Sequence, residues 1–147
     1  MSAAQDSFTL EQRDQILASI HDAELRTSGE IRLFVENKCD DNVLDRAAFI
    51  FHKLKMDKTK ERHGVLFYLA LASRKFAIIG DSGINSKVSK DFWFDIKLEM
   101  QNYFVAGDFV SGLNKGIQMA GEALEKNFPR QKNDQNELPD DIVFGNE

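Results

Sequence analysis

A candidate phosphate site can be assembled from three charged residues, Glu30, Arg62 and Asp81. The guanidinium of an arginine binds a phosphoryl group through several N–H donors, and carboxylates hold a hard divalent cation such as Ca²⁺ or Mg²⁺. A cation beside an arginine polarises a phosphate ester for attack by water. Asp91 and Asn85 would add a further carboxylate and an amide oxygen. These residue types predict metal-assisted hydrolysis of a phosphate monoester, with a phosphorylated small molecule or a phosphoprotein as substrate.

Glycines on both sides of Asp81, at positions 80 and 83, add to this hypothesis. Glycine lets the backbone turn sharply or present its N–H groups to an anion. The hypothesis assigns phosphate binding to Arg62 and Gly83, and catalysis to Asp81 and Arg62. The predicted ligands of the divalent cation are Glu30, Asp81, Asn85 and Asp91.

Each of these residues also has a purely structural interpretation. Glu30 and Arg62 could form an ion pair between adjacent strand ends, and Asp81 could cap a turn. Asp91 suits the first turn of a helix, because the helix macrodipole favours an acid there. The alternative function is a non-catalytic module that binds Ca²⁺ or a protein partner, the partner through the apolar residues 142–144. A third hypothesis is a scaffold that binds no ion.

The tripeptide Arg62-His63-Gly64 matches the sequence that carries the nucleophilic histidine of histidine phosphatases. In those enzymes the tripeptide follows an apolar strand, whereas here it precedes one, "VLFYLAL". No second histidine stands in a comparable context, since His21 and His52 lie in predicted helices. We therefore interpret His63 as a solvent-exposed residue at the start of a strand, without a catalytic role.

Capping and periodicity predict the elements that must position these residues. Thr9 and Gln12 form a capping box at the start of the first helix. Apolar patterning predicts three strands, in "EIRLFVEN", "GVLFYLAL" and "KFAIIG", with a tight turn at "SRK" between the last two. One helix lies between the first two strands and two follow the third, the last beginning at Asp108 and ending before Pro129. The order αβαββαα places helices on both faces of a small mixed sheet.

The strand directions are expected to bring the candidate residues to one edge of that sheet. The first two strands are predicted to be parallel, joined by a right-handed crossover, and the hairpin makes the third antiparallel. The starts of strands one and two and the end of strand three then share an edge. The polar tail is expected nearby. The residues gathered there are Glu30, Arg62, Asp81, Asn85, Asp91, Asn136, Glu137 and Asp140.

The opposite edge is the second candidate for a site. Ligands of open α/β sheets usually bind at the carboxyl ends of the parallel strands. The polar residues predicted there are Asn37, Asp40, Asp41, Ser73 and Arg74. Asp40 and Asp41 are more easily explained as caps of the second helix, so this edge ranks second.

Composition predicts a single acidic domain of 147 residues. A net charge of −5 leaves no excess of basic residues for contacts to a nucleic acid. No apolar run approaches the roughly 20 residues that span a bilayer, and the amino terminus lacks the pattern of a signal peptide. Because Cys39 is the only cysteine, no internal disulfide can form. We expect a cytoplasmic monomer with one domain at 1–129 and a polar tail at 130–147, docked or partly disordered.

Several segments taken together resemble the TPM domain family, which occurs in thylakoid lumen proteins and many bacterial envelope proteins. No single segment is specific, but their ordered set is, and it is most similar to the short stand-alone bacterial members. The segments span nearly the whole chain: "AELRTSGEIRLFVE", "TKERHGVLFYLALASRKFAIIGDSGIN", "DFWFDIKLEM", "GDFVSGLNKGI" and "NELPDDI".

The resemblance implies a Rossmann-like three-layer α/β/α sandwich, with phosphatase activity and divalent-cation binding attributed to some members. Family patterns map onto Glu30, Arg62-x-Gly64, Gly80-Asp81-x-Gly83 and Asp91. Many longer relatives have glutamate where this chain has Asn85, which weakens a cation site at that position. Longer members also carry a signal sequence and a membrane anchor that are not visible here, which favours the cytoplasm.

Overall fold

Four strands form one mixed sheet, in the order β3-β2-β1-β4, in the computed structural model, which describes residues 3–131, 137–138 and 141–145. The strands are β1 (Glu30–Glu36), β2 (Gly64–Ala70), β3 (Lys75–Gly80) and β4 (Ile142–Phe144). β1 pairs with β2 in parallel and β2 pairs with β3 antiparallel, as the sequence predicts. Glu30 lies opposite Gly64, and Val65 opposite Gly80. The starts of β1 and β2 and the end of β3 therefore share one edge, here named the amino-end edge.

Six helices accompany the sheet in the described ranges: α1 (Ala3–Asp6), α2 (Leu10–Arg26), α3 (Val43–Lys53), α4 (Ser82–Asn85), α5 (Phe94–Val105) and α6 (Phe109–Asn127). The sequence predicts α2, α3, α5 and α6. The capping box of α2 is present, with Gln12 N 3.0 Å from Thr9 Oγ1. Asn42 caps α3 and Asp108 caps α6. The short α1 and α4, and a 3₁₀ turn at Met56–Lys58, are too brief for a hydrophobic period to reveal.

The side chains of the strands alternate between two apolar clusters, one on each face of the sheet. Ile31, Leu33 and Val35 of β1 belong to a cluster with residues of α2, α5 and α6. Phe34 of β1 belongs to the other cluster, with Leu66, Tyr68 and residues of α3. Because successive side chains of a strand point to opposite faces, helices cover both sides. The predicted α/β fold, a three-layer sandwich with a small mixed sheet, is confirmed.

The fourth strand, β4, was not predicted. Residues 142–144 pair in parallel with residues 33–35 of β1, and Gly145 N donates a hydrogen bond to Val35 O at 2.9 Å. Ahead of this strand, Leu138 is buried in the cluster on the α3 side of the sheet. The apolar "IVF" of the tail thus docks on its own domain as an edge strand.

Two further expectations concern the polar tail and helices that could span a membrane. Asn136 and Asp140, predicted at the amino-end edge, lie outside the described residues. Within the described ranges, no helix has both the length and the apolar character that crossing a bilayer requires.

Candidate functional site

The amino-end edge contains a bidentate ion pair between Arg62 and Asp81. Arg62 Nε lies 2.7 Å from Asp81 Oδ2, and Nη2 lies 2.9 Å from Oδ1. The side chain of Asp81 is 5% exposed, whereas that of Arg62 is 45% exposed. The hydrogen bonds to Asp81 raise the pKa of Arg62 above its ordinary value, so the guanidinium stays charged. The structure therefore brings two of the predicted site residues into direct contact.

Local backbone structure places this pair at the end of the sheet. Asp81 N donates a hydrogen bond to Gly64 O at 2.9 Å, and Asp81 Oδ1 accepts one from Ser82 N at 2.7 Å, capping α4. Arg62 adopts the left-handed conformation, with φ 57°. That conformation is uncommon for a residue with a side chain and persists where surrounding contacts enforce it.

Gly83 lies where no larger residue fits. Its N–H donates a hydrogen bond to Arg62 O at 3.0 Å. A Cβ at this position would lie 2.2 Å from Glu61 O and 2.6 Å from Arg62 O. Glycine is thus required because α4 approaches the segment before β2 very closely. Its predicted role in phosphate binding stays a prediction.

Glu30 takes part in a separate set of contacts. Its Oε1 accepts hydrogen bonds from the backbone N–H groups of Glu137 and Leu138, the second at 2.8 Å. The carboxylate therefore ties the tail to the start of β1 by satisfying two donors of the tail. An ion pair between Glu30 and Arg62 does not form, because the guanidinium is paired with Asp81.

Asn85 and Asp91, the other predicted cation ligands, have contacts of their own. Asn85 Nδ2 donates to Gly80 O at 2.7 Å, which closes the turn after β3. Asp91 is exposed, and its main-chain oxygen accepts a hydrogen bond from Phe94 N at 3.0 Å in the turn before α5. In the part of the chain that the structure describes, no three His, Cys, Asp or Glu side chains form a group that could hold a metal ion. The predicted ligands do not form a preformed cation cage.

His63 is buried, so its interpretation as a solvent-exposed residue is wrong. It is 9% exposed, because its ring packs edge-on against Phe128, which follows α6, with 4.7 Å between ring centroids. Its Nδ1 lies 2.9 Å from Ser28 Oγ. Ser28 was not among the predicted site residues. No local pattern links it to a histidine 35 positions away.

The ends of β1 and β2 and the start of β3, here named the carboxyl-end edge, contain a second bidentate ion pair. Arg46 Nε and Nη2 each lie 2.9 Å from an oxygen of Glu36, and Tyr68 donates its hydroxyl hydrogen to the same carboxylate. The Glu36 side chain is 8% exposed. Burial raises the pKa of Glu36, but the hydrogen bonds from Arg46 and Tyr68 outweigh it, so that pKa lies below its ordinary value. The sequence analysis did not select these three residues.

The residues that were predicted at the carboxyl-end edge have mostly structural contacts. Asn37 O accepts a hydrogen bond from Ala72 N at 2.7 Å, and Ser73 Oγ accepts one from Cys39 N at 2.8 Å. Exposed residues complete the set: Asp40, Asp41 and Arg74. They form no ion pair among the described residues. The carboxyl-end edge therefore remains the second candidate for a functional site.

Comparisons with known proteins agree with the fold. The family model described as the TPM domain matches residues 2–123. The BA42 protein of the psychrophilic bacterium Bizionia argentinensis, solved by NMR, is 47% identical over 94% of this chain and 95% of that chain, with a TM-score of 0.89. The N-terminal domain of a P. gingivalis protein shares the fold alone, with a TM-score of 0.68 and 16% identity over 82% of this chain and 78% of that chain. No curated protein matches the chain.

Proposed function

Because the chain belongs to the TPM domain family, we propose that it hydrolyses phosphate monoesters at the amino-end edge, with Arg62 as the phosphate-binding residue. The matching family model is named TPM_phosphatase. The observation that carries the proposal is the guanidinium of Arg62, which a buried carboxylate holds and solvent reaches. The substrate is a phosphorylated small molecule or a phosphoprotein.

The hydrogen-bonding capacity of Arg62 supports this role. A guanidinium has five N–H donors, and Asp81 accepts through only two nitrogens, Nε and Nη2. The remaining donors belong to a side chain that is 45% exposed, so a phosphoryl oxygen can bind them while the ion pair stays formed. Hydrogen bonds between a guanidinium and a phosphate are among the strong ones, because both groups are charged.

Asp81 and Gly83 act through Arg62 in this proposal. Asp81 is a positioning residue, because its buried carboxylate holds the guanidinium in one orientation before substrate arrives. Less side-chain freedom is then lost on binding. Gly83 allows α4 to approach closely enough to bond Arg62 O, which supports the left-handed backbone at Arg62.

Divalent-cation binding, by Ca²⁺ or Mg²⁺, is a separate part of the proposal. The carboxylates of Glu30 and Asp81 already accept hydrogen bonds from N–H groups, so a cation has to displace them to bind. The residues therefore do not fit a resident ion as they stand, and no step of hydrolysis is assigned to one. If a chelator does not reduce the turnover of phosphate ester, the cation is removed from the proposal, and the proposed role of Arg62 is unaffected.

The test is the hydrolysis of an aryl phosphate by the purified chain and by its Arg62→Ala variant. We expect the variant to lose about 100-fold in kcat/KM, which is typical when one preorganised donor to a developing charge is removed. Arg74→Ala is the matched control, because Arg74 is also an exposed arginine with a left-handed backbone, φ 54°, at the opposite edge. Equal activity of the Arg62→Ala variant and the unmodified chain contradicts the proposal.

The alternative, a non-catalytic module that binds Ca²⁺ or a protein partner, gives a different result in the same preparation. Turnover is then absent, and adding Ca²⁺ shifts the amide resonances of residues 80–85. A partner that binds residues 142–144 must use their side chains or the outer edge of β4, because the inner edge pairs with β1.

A further inference from the structure

A pocket of about 200 Å³ opens at the amino-end edge, beside the residues that follow α6. Ser28, His63 and Lys87 line it, together with the ring of Phe128. Arg62 is not among the lining residues, but its neighbours Glu61 and His63 are, so the pocket lies next to the proposed phosphate site. A hydroxyl beside an imidazole is a nucleophile with a general base, a pair that covalent catalysis uses.

The hydroxyl of Ser28 lies within hydrogen-bonding distance of the His63 ring, and it also lies 3.5 Å from Phe128 O. Ser28 Oγ lies 2.9 Å from His63 Nδ1, which is within the range that a general base needs. The backbone of Ser28 is fixed, because its N–H donates to Phe128 O at 2.9 Å. The preceding Thr27 is fully buried and donates its hydroxyl hydrogen to the same carbonyl. The nucleophile therefore sits on a rigid turn.

Phe128 also orients the other two groups of the pocket. The His63 ring packs edge-on against it, at an interplanar angle of 67°. The ammonium of Lys87 lies 5.5 Å from the centre of the same ring, a distance at which a cation is attracted to an aromatic face. One aromatic side chain thus places the imidazole and the ammonium group around the pocket.

We propose that Ser28 is a nucleophile, with His63 as its general base, in a second active centre that hydrolyses small carboxylic esters. Ser28 Oγ attacks the carbonyl carbon and passes its proton to His63 Nδ1. The bond from that carbon to the alkoxy oxygen breaks, and the leaving oxygen takes the proton. Water then attacks the acyl group on Ser28, gives a proton to His63 and releases the acid, and the proton returns to Ser28 Oγ. The ammonium of Lys87 stabilises the negative oxygen that forms on the carbonyl.

The charges around the pocket favour a neutral ester over a phosphate monoester. Of the described residues that line the pocket, Lys87 is the only lysine or arginine, and Glu61 is also among them. One positive and one negative charge leave little net attraction for a dianion, whereas a neutral acyl group has no such requirement. The volume of about 200 Å³ limits the acyl group to a short one.

The test is covalent labelling of the full chain with a fluorophosphonate reagent, which reacts with activated serines. Attack by Ser28 Oγ forms an O–P bond and expels fluoride. Trypsin cleaves after Arg26 and Arg32, so the label should be found on the peptide of residues 27–32. We expect labelling there, its loss in Ser28→Ala, and a rate about 100-fold lower in His63→Asn, in which an amide replaces the base.

Two controls separate nucleophilic activation from simple hydrogen bonding. Ser19→Ala removes a hydroxyl that bonds Asn114 Oδ1 and no imidazole, so the labelling of residues 27–32 should be unchanged. Lys87→Met should slow the release of nitrophenol from nitrophenyl acetate by about tenfold, whereas Lys90→Met should not. Circular dichroism of every variant checks that the fold is retained.

These experiments test the esterase activity of Ser28 and His63 independently of the proposed phosphatase activity. A chain that labels at Ser28 and leaves aryl phosphate intact keeps the second centre and loses the phosphatase. A chain that hydrolyses aryl phosphate but stays unlabelled at Ser28, or labels equally fast in His63→Asn, overturns the second centre alone.

Discussion

The two edges of the sheet each contain a bidentate pair between an arginine and a carboxylate, but the pairs differ in their surroundings. At the carboxyl-end edge, Glu36 accepts from Arg46 and from the buried hydroxyl of Tyr68, and the arginine side chain is 29% exposed. At the amino-end edge, Asp81 is equally buried, yet the side chain of Arg62 is 45% exposed. Each arginine therefore pairs with a buried carboxylate, but the side chain of Arg62 is more exposed than that of Arg46.

This difference separates a structural role from a binding role. Both carboxylates accept three hydrogen bonds from protein groups. One donor to Glu36 is the buried hydroxyl of Tyr68, which loses its acceptor when Glu36 is removed. An exposed arginine held by a buried acid keeps free donors and a fixed orientation. The comparison predicts that changes at Glu36 act on stability and changes at Arg62 act on binding.

The largest expected effect is the loss of stability in Glu36→Ala. The substitution leaves the Tyr68 hydroxyl without its acceptor and Arg46 without its partner, and breaking such a buried network costs about 3 kcal/mol of unfolding free energy. Urea denaturation measures it. The control is Glu125→Ala, because Glu125 and Arg26 form a half-exposed pair at 3.9 Å whose loss should cost under about 0.5 kcal/mol. Equal losses in the two variants would remove the distinction between the edges.

Gly83→Ala should have the next largest effect. The new Cβ would lie 2.2 Å from Glu61 O, so the backbone has to shift at a cost of about 2 kcal/mol. The shift should also move the amide resonances of Arg62. Gly107→Ala is the comparison, because φ is 82° there and a Cβ added to Gly107 would have no described atom within 4 Å apart from its chain neighbours. Only the strain of the left-handed backbone, about 1 kcal/mol, should then destabilise this variant. A Gly83→Ala variant as stable as the unmodified chain contradicts the close approach of α4.

The dependence of stability on pH should come from Glu36. Its pKa is lower in the folded chain than its ordinary value, so its contribution is present above about pH 4.3, the pKa of an unperturbed glutamate. That contribution is lost as the pH falls through the folded pKa. The difference in unfolding free energy between the unmodified chain and Glu36→Gln should therefore be constant between about pH 7 and about pH 5 and shrink as the pH falls below about pH 4.3. If the difference in unfolding free energy between the two chains stays constant as the pH falls, the loss of stability in acid comes from groups other than Glu36.

Local patterns account for most of the fold. Apolar periodicity and capping residues predict four of the six helices in the described ranges and three of the four strands. The directions of those strands then predict that Arg62 and Asp81 lie at one edge, because a parallel crossover and a hairpin bring both there. The direct contact between the two side chains was not predicted, since the ion pair considered for Arg62 was with Glu30.

The remaining contacts depend on long-range packing. β4 has three residues, too few for alternation to reveal, and its partner strand lies about a hundred positions earlier. Ser28 and His63 lie just before the paired starts of β1 and β2, where Glu30 N donates to His63 O. Phe128, which follows α6, packs against the imidazole. In the sequence, Glu36 is only a polar residue at the end of a strand. Its burial depends on hydrogen bonds from Arg46 and Tyr68, which lie elsewhere in the sequence. None of these contacts leaves a periodic signal.

The smallest expected effect sharpens the comparison most directly. Arg62 and Arg74 have left-handed backbones at opposite edges, with φ values of 57° and 54°. Arg74→Gly should raise stability by up to about 1 kcal/mol in urea denaturation, since glycine adopts that conformation without strain. Arg62→Gly receives the same relief but leaves the buried Asp81 without its partner, so its stability should fall below that of Arg74→Gly. If Arg62→Gly and Arg74→Gly are equally stable, the ion pair between Arg62 and Asp81 does not contribute to the free energy of unfolding. The left-handed backbone of Arg62 is then explained by the proposed role in binding alone.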